Sequence, residues 1–242
     1  MATTMSQFDE SQWADSEFTQ NYRDGAGIYL PFRRQFIQAV TAFYAHFFHA
    51  VKAATILDLG CGDGLFVQEF LKSFTPAKVR LVDGSGDMLA AAQKRLLGEE
   101  NVSFSQASFQ ELLTKDPLNE DFDFIYSSLA IHHLPFAEKK NLYAYGYNHL
   151  APGGCFVNYD VVAAPSEKLE EFYLSLWRQW IAAHPAAEKR GDLLTVPEQY
   201  KANKDNIPDT LESQLQALTE IGYNDVDCYC KWGIFSLFGG FR

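Results

Sequence analysis

The chain has 242 residues, 47% hydrophobic, 21% charged and 15% aromatic, which excludes a disordered or fibrous protein and suits one sizeable domain with its own core. Its net charge of −11, with basic pairs only at Arg33–Arg34, Lys94–Arg95, Lys139–Lys140 and Lys189–Arg190, argues against nucleic acid, whose phosphates need clustered cations. No apolar stretch is long enough to span a membrane, the first residues carry no basic-then-apolar leader, and Cys61, Cys155, Cys228 and Cys230 lack disulfide spacing; a cytoplasmic protein without membrane partner or metal is expected, and a homodimer is compatible with it.

Strands and helices alternate from about residue 54. The apolar run Thr55–Leu59 predicts a first strand, and the spacing of Phe66, Val67, Phe70, Leu71 and Phe74 predicts a helix after it. Val79–Val82 reads as a second strand, followed by a helix from Asp87 to Leu97, and Val102–Gln106 as a third strand. Phe122–Ser127 is a fourth, apolar enough to be buried on both faces. A helix through Tyr143–Leu150 should stop at Ala151-Pro152-Gly153-Gly154, ahead of a fifth strand at Cys155–Tyr159. Asp225–Lys231 and Ile234–Phe241, joined at Trp232–Gly233, read as an antiparallel hairpin. The expected class is α/β: a doubly wound, mostly parallel seven-stranded sheet with right-handed crossovers and an antiparallel C-terminal hairpin.

Two segments stand outside that alternation. Residues 1–50 read as an N-terminal helical lid segment, a polar lead-in dotted with Trp13, Phe18 and Tyr22 and then a helix near Pro31–Val51. Residues 51–242 form the main domain, in which about 164–208 is an insertion with a helix near Ser166–Ala183 and then a polar stretch. Insertions after strand ends sit over the ligand crevice of such sheets, so both are lid candidates.

The chemistry centres on Asp58-Leu59-Gly60-Cys61-Gly62-Asp63-Gly64, a strand-to-helix turn whose glycines let a ligand approach the main chain. A dinucleotide fingerprint needs its third glycine one place later, where Leu65 stands, and Asp63 would set a carboxylate beside a pyrophosphate. A sulfonium cofactor, which carries positive charge and no phosphate, tolerates that acid. The turn resembles the first motif of the class I S-adenosylmethionine-dependent methyltransferases, a family of Rossmann-like fold, and the resemblance is close over about residues 50–162.

That resemblance implies roles residue by residue. Asp58, Gly60 and Gly62 would hold the methionine part of S-adenosylmethionine. Asp83, in Leu81-Val82-Asp83-Gly84-Ser85, would accept the ribose hydroxyls, while Asp87 suits a helix cap. Gly84 departs from the family, which places an adenine-packing side chain there, and Met88 is the candidate substitute. Ser108, in Gln106-Ala107-Ser108-Phe109, stands where an Asp often accepts from the adenine amino group, with Phe109 a candidate flank for the base. After the fourth strand, Ser127 and Ser128 border the cofactor; His133 matches a structural histidine behind the site, and His132 is the candidate general base. Tyr22 would close over the cofactor. Tyr159 and Asp160 at the fifth strand's tip, with Tyr173, Trp177 and Trp180 on one face of the inserted helix, are candidates for the acceptor pocket.

The implied activity is methyl transfer to a small-molecule acceptor. Displacement at an activated methyl carbon needs alignment and water exclusion more than a fixed catalytic constellation, so the acceptor is not encoded in a motif. Two other readings stay open. The C-terminal part is loosely similar to carboxy-S-adenosylmethionine synthases, although where those need a cation this chain has Gln199-Tyr200-Lys201-Ala202-Asn203-Lys204. The other is a module that binds the cofactor without turnover.

Overall fold

The computed structural model describes residues 8–48, 50–51, 53–187 and 190–242; the first seven residues of the expected lid segment and Lys189 of the basic pair lie outside them. The strands are β1 (Thr55–Leu59), β2 (Lys78–Asp83), β3 (Val102–Gln106), β4 (Phe122–Ser128), β5 (Leu150–Val161), β6 (Asn224–Trp232) and β7 (Phe235–Phe241). They form one sheet in the order β3-β2-β1-β4-β5-β7-β6. The pairs from β3 to β5 are parallel, whereas β7 runs antiparallel to both β5 and β6. Strand order reverses between β1 and β4, and a crevice opens there at the carboxyl ends of the parallel strands.

Burial on both faces explains the apolar β4. Phe124 and Tyr126 join one core cluster and Ile125 the other, because successive side chains leave a strand on opposite sides, while an irregularity between Phe122 and Phe124 sends Phe122 to the side of Ile125. The helices α1 (Ser16–Tyr29), α2 (Arg33–Phe48), α3 (Leu65–Leu71), α4 (Gly86–Arg95) and α7 (Glu167–Ala182) contribute to the first cluster. Helices α5 (Phe109–Lys115), α6 (Phe136–His149) and α9 (Leu211–Ile221) cover the other face.

Departures from the expected elements cluster in the two extra segments. The polar lead-in is helical: Asp15 caps α1 by accepting from the Phe18 amide at 2.7 Å, and Thr19, Gly25 and Ala26 are buried beneath it. The polar stretch of the insertion contains α8 (Val196–Ala202), started by Pro197 and seated through buried Leu193 and Pro197. Strand β5 begins at Leu150, so the expected helix stop at Ala151–Gly154 is already strand. Helix α4 is capped by Ser85, whose hydroxyl accepts from the Met88 amide at 3.4 Å, and not by Asp87, which accepts from Ser16 of α1.

Candidate functional site

Three adjoining cavities occupy the crevice, and Tyr22 of α1 lines all three. A long one of about 320 Å³ runs from Gly60 and Gly62 past Asp83, Gly84 and Met88 to Ser108 and Phe109. A small one of about 40 Å³ lies behind the glycine turn, between Arg33, Asp58, Tyr126 and Tyr159. A third, of about 420 Å³, spreads under the N-terminal segment and the insertion and is lined by Trp13, Phe18, His132, Trp177 and Tyr200.

The glycine turn exists because the chain must reverse close to β2. The Gly60 and Cys61 amides both donate to the Val82 carbonyl, at 2.8 and 3.0 Å. Gly60 holds φ +71°, and a Cβ there would stand 2.5 Å from the Cβ of Ala130. Gly62, at φ +55°, has open space beside it, so the main chain is bare toward the cavity.

Asp58 is the unusual group. It is 1% exposed, and neither of its oxygens has a hydrogen-bond partner. Burial, and secondly the Asp83 charge, push its carboxyl well above the usual range. Arg33, on the first turn of α2, lines the same small cavity and makes no ion pair among the described residues. The hydroxyls of Tyr126 and Tyr159 there are also buried without partners. A buried acid and two buried hydroxyls without partners, with a cation beside them, form one donor and acceptor set around this cavity. An α-amino acid zwitterion supplies the matching ammonium and carboxylate.

Asp83 does two jobs at the tip of β2. Its carboxylate accepts from the Gly62 amide and from the Ser85 amide, each at 2.8 Å, and so fixes both turns of the long cavity. Burial raises its pKa to about 6, against the lowering effect of those two bonds. Gly84 next to it has no side chain, and the ring of Phe8 fills that place: a Cβ on Gly84 would lie 2.6 Å from the Phe8 ring. Ser108 lines the cavity too, but its hydroxyl is engaged in a capping box with Glu111 at the start of α5, which leaves less of it for a ligand.

Beyond β4 the chain passes through Leu129, held at φ +53°, an uncommon conformation for a bulky residue, at the wall shared by the long and aromatic cavities. Asp160 accepts from the His132 amide at 2.9 Å and faces His132 Nδ1 at 2.6 Å. Nδ1 is therefore the protonated nitrogen, and Nε2 is left without a partner among the described residues. His133 lies on the cavity wall and not behind the site: Trp13 Nε1 donates to its Nε2 at 2.8 Å, and its Nδ1 donates to the Asp205 carbonyl at 2.9 Å. Burial, then the neighbouring His132, lowers its pKa well below the usual value, so it is neutral. The same bond ties the N-terminal segment across the crevice, together with Gln12, whose amide donates to Asp205 at 3.2 Å.

Most of the expected site residues converge: Tyr22, Asp58, Gly60, Gly62, Asp83, Gly84, Met88, Ser108, Phe109 and Ser128 line the long or small cavity, and His132 and Trp177 the aromatic one. The others do not. Ser127 is fully buried and donates to the Leu59 carbonyl at 2.7 Å, because alternation along β4 turns it away from the crevice. Tyr159 faces the small cavity, stacked on Phe36, and not the aromatic one. Asp160, its neighbour, points to the opposite side and reaches the aromatic cavity only through His132. Tyr173 lies under Lys231 near the hairpin turn, and Trp180 packs at a tilt against Phe32, ring centroids 4.3 Å apart; of that helical face only Trp177 reaches the cavity. Lys201 pairs with Glu170 at the surface, and Lys204 lines the long cavity. Arg33 and Phe8 were not anticipated: neither belongs to a motif, and only packing brings each to the turns of β1 and β2.

A fold of this topology is shared with an O-methyltransferase family protein from Burkholderia thailandensis, at TM-score 0.66 and 13% identity over 97% of this chain and 62% of that one. Residues 56–154 match the family model described as a methyltransferase domain. Over 150 residues the chain is 35% identical to a trans-aconitate 2-methyltransferase of an Acidovorax species, covering 60% of this chain and 54% of that one. Over 73 residues it is 37% identical to a malonyl-[acyl-carrier protein] O-methyltransferase of Halalkalibacterium halodurans, 30% of this chain and 27% of the relative. The chain thus spans about half, or less, of the curated relatives it matches. Its likeness to the class I S-adenosylmethionine-dependent methyltransferases is carried by this domain.

Proposed function

We propose that the protein is an S-adenosylmethionine-dependent methyltransferase acting on a small molecule, with His132 as general base for an acceptor that must lose a proton. The observation that carries this reading is the set of unsatisfied Asp58, Tyr126 and Tyr159 groups beside the glycine turn, with Arg33 lining the same cavity, which suits the amino-acid end of the cofactor. When bound, that cofactor supplies a methyl carbon already activated by its sulfonium. Asp58 accepts from the ammonium, Arg33 takes the carboxylate, and Asp83 accepts the ribose hydroxyls. Phe8 covers the adenine where Gly84 offers no side chain, with Met88 and Phe109 completing the wall. The segments 1–50 and about 164–208 serve as lids that exclude water. Methyl transfer by the Acidovorax and Halalkalibacterium relatives supports the reaction type. The net charge of −11 supports a reading without nucleic acid, and the four unpaired cysteines support a cytoplasmic location.

Lys201 is committed to Glu170 at the surface, so the carboxylated-cofactor reading loses one of its two cations. The test is calorimetry with S-adenosylhomocysteine followed by incubation with methyl-labelled cofactor. Stoichiometric binding and acceptor-dependent product release are expected. Binding with no release across an acceptor panel would make the chain a cofactor-sensing module instead.

A further inference from the structure

The charge pattern of the aromatic cavity narrows its occupant. Its acidic and basic groups come in closed pairs. Arg190 forks onto Asp192, with two contacts at 3.2 Å, and Asp160 is taken up by His132 and by the Val161 amide at 2.9 Å. His133 is spent between Trp13 and Asp205. Arg190 and Asp192 lie exposed and paired with each other, and no other Lys, Arg, Asp or Glu is among the described lining residues to receive a charged ligand. What remains open is apolar or neutral. The rings of Trp177 and Phe235 meet edge to face at 5.1 Å and Trp177 meets Tyr200 at 5.6 Å, making a wall for a flat group. The Tyr200 hydroxyl is buried and has no partner. His132, braced by Asp160 and with Nε2 free, lines the aromatic cavity next to His133, which lines both cavities.

We propose, building on the methyltransferase reading, that the acceptor is an uncharged aromatic hydroxyl compound, a phenol, methylated on oxygen. The ring lies against Trp177 and Tyr200, a second polar group of the ligand meets the Tyr200 hydroxyl, and the reacting hydroxyl faces His132. The C–O bond forms as the carbon–sulfur bond breaks and the hydroxyl proton passes to His132 Nε2, giving a methyl ether and S-adenosylhomocysteine. The positive charge that leaves the sulfur ends on the imidazolium, opposite Asp160. A carboxylate acceptor would need no base and would find no cation, so this pocket selects differently from an enzyme for trans-aconitate.

The test uses the full chain loaded with S-adenosylhomocysteine and titrated calorimetrically with catechol and 2-naphthol, then with benzoate, trans-aconitate and benzylamine. The phenols should bind at least about tenfold more tightly than the charged compounds. With S-adenosylmethionine, the phenols should give methyl ethers. His132→Gln should leave cofactor and phenol affinities within about twofold while lowering turnover about a hundredfold. Tyr200→Phe, which removes one oxygen only, should weaken catechol more than 2-naphthol. Equal or tighter binding of the carboxylates or the amine, no saturable binding of either phenol, or undiminished turnover in His132→Gln would each overturn the proposal. Loss of cofactor binding itself, seen in the same calorimeter, would instead overturn the methyltransferase reading.

Discussion

Replacing Asp83 by Asn separates cofactor recognition from folding. The parent carboxylate sits half-buried at the cavity wall with a pKa raised from 3.8 to about 6. A folded-state value above the unfolded one means its stabilising contribution is present at acid pH and lost as pH rises through about 6. Near neutral pH the ionised side chain therefore costs the fold on the order of 3 kcal/mol. Asn never ionises and escapes that cost, but its amide can accept only one of the two bonds now given by the Gly62 and Ser85 amides, a loss of about 1–3 kcal/mol. The two effects nearly cancel, so the melting temperature should stay within a few degrees of the parent. Binding has no such compensation. Two hydroxyl donors to a charged acceptor contribute about 1.5–3 kcal/mol each, and a neutral amide recovers less than half of this. The net loss of about 2–4 kcal/mol corresponds to a Kd for S-adenosylhomocysteine weaker by about 30- to 1000-fold. Calorimetry and thermal melting on the same samples decide it. Affinity within about threefold of the parent would refute the ribose assignment, and a collapse of the melting temperature would refute the electrostatic balance.

Further outcomes follow from the same geometry. Phe8→Ala should weaken cofactor binding by about tenfold, the scale of one base–aromatic contact, and Gly84→Ile in that background should recover part of it, whereas Gly84→Ile alone collides with the Phe8 ring. An additive double mutant would sink that pairing. Cofactor affinity should fall by up to about tenfold per unit as pH drops below about 6, because binding needs Asp83 ionised and its carboxyl resists ionisation when free; a flat profile between about pH 5 and 7 would contradict it. Gly60→Ala combines a positive φ with a 2.5 Å approach to Ala130 and should lower the melting temperature by several degrees, about 1–3 kcal/mol. Gly62→Ala meets nothing within 4 Å and carries only the strain of its φ of +55°, so it should lower the melt less than Gly60→Ala while obstructing the ligand, a contrast read directly by paired melting and calorimetry.

What the sequence determined by itself is everything that depends on local period and turn chemistry. Thr55–Leu59 has the bounds expected of it, and the glycines at 60, 62 and 64 sit at positive φ because the turn admits little else. Alternating apolar segments specify the sheet, and Asp58 and Asp83 stand at strand ends where the spacing puts them. Tertiary structure decided which way each side chain looks and what it meets. Ser127 and Ser128 are equivalent as letters, yet one bonds to the Leu59 carbonyl and the other lines the cavity. His132 and His133 are equivalent in the same way until Asp160 braces one and Trp13 engages the other. Arg33 and Phe8 belong to segments remote in sequence from the turns they serve, and no local pattern records such contacts. The reason is physical. Backbone geometry is set by neighbours along the chain, whereas burial, partnering and charge compensation are set by neighbours across it, and the candidate site consists of the latter.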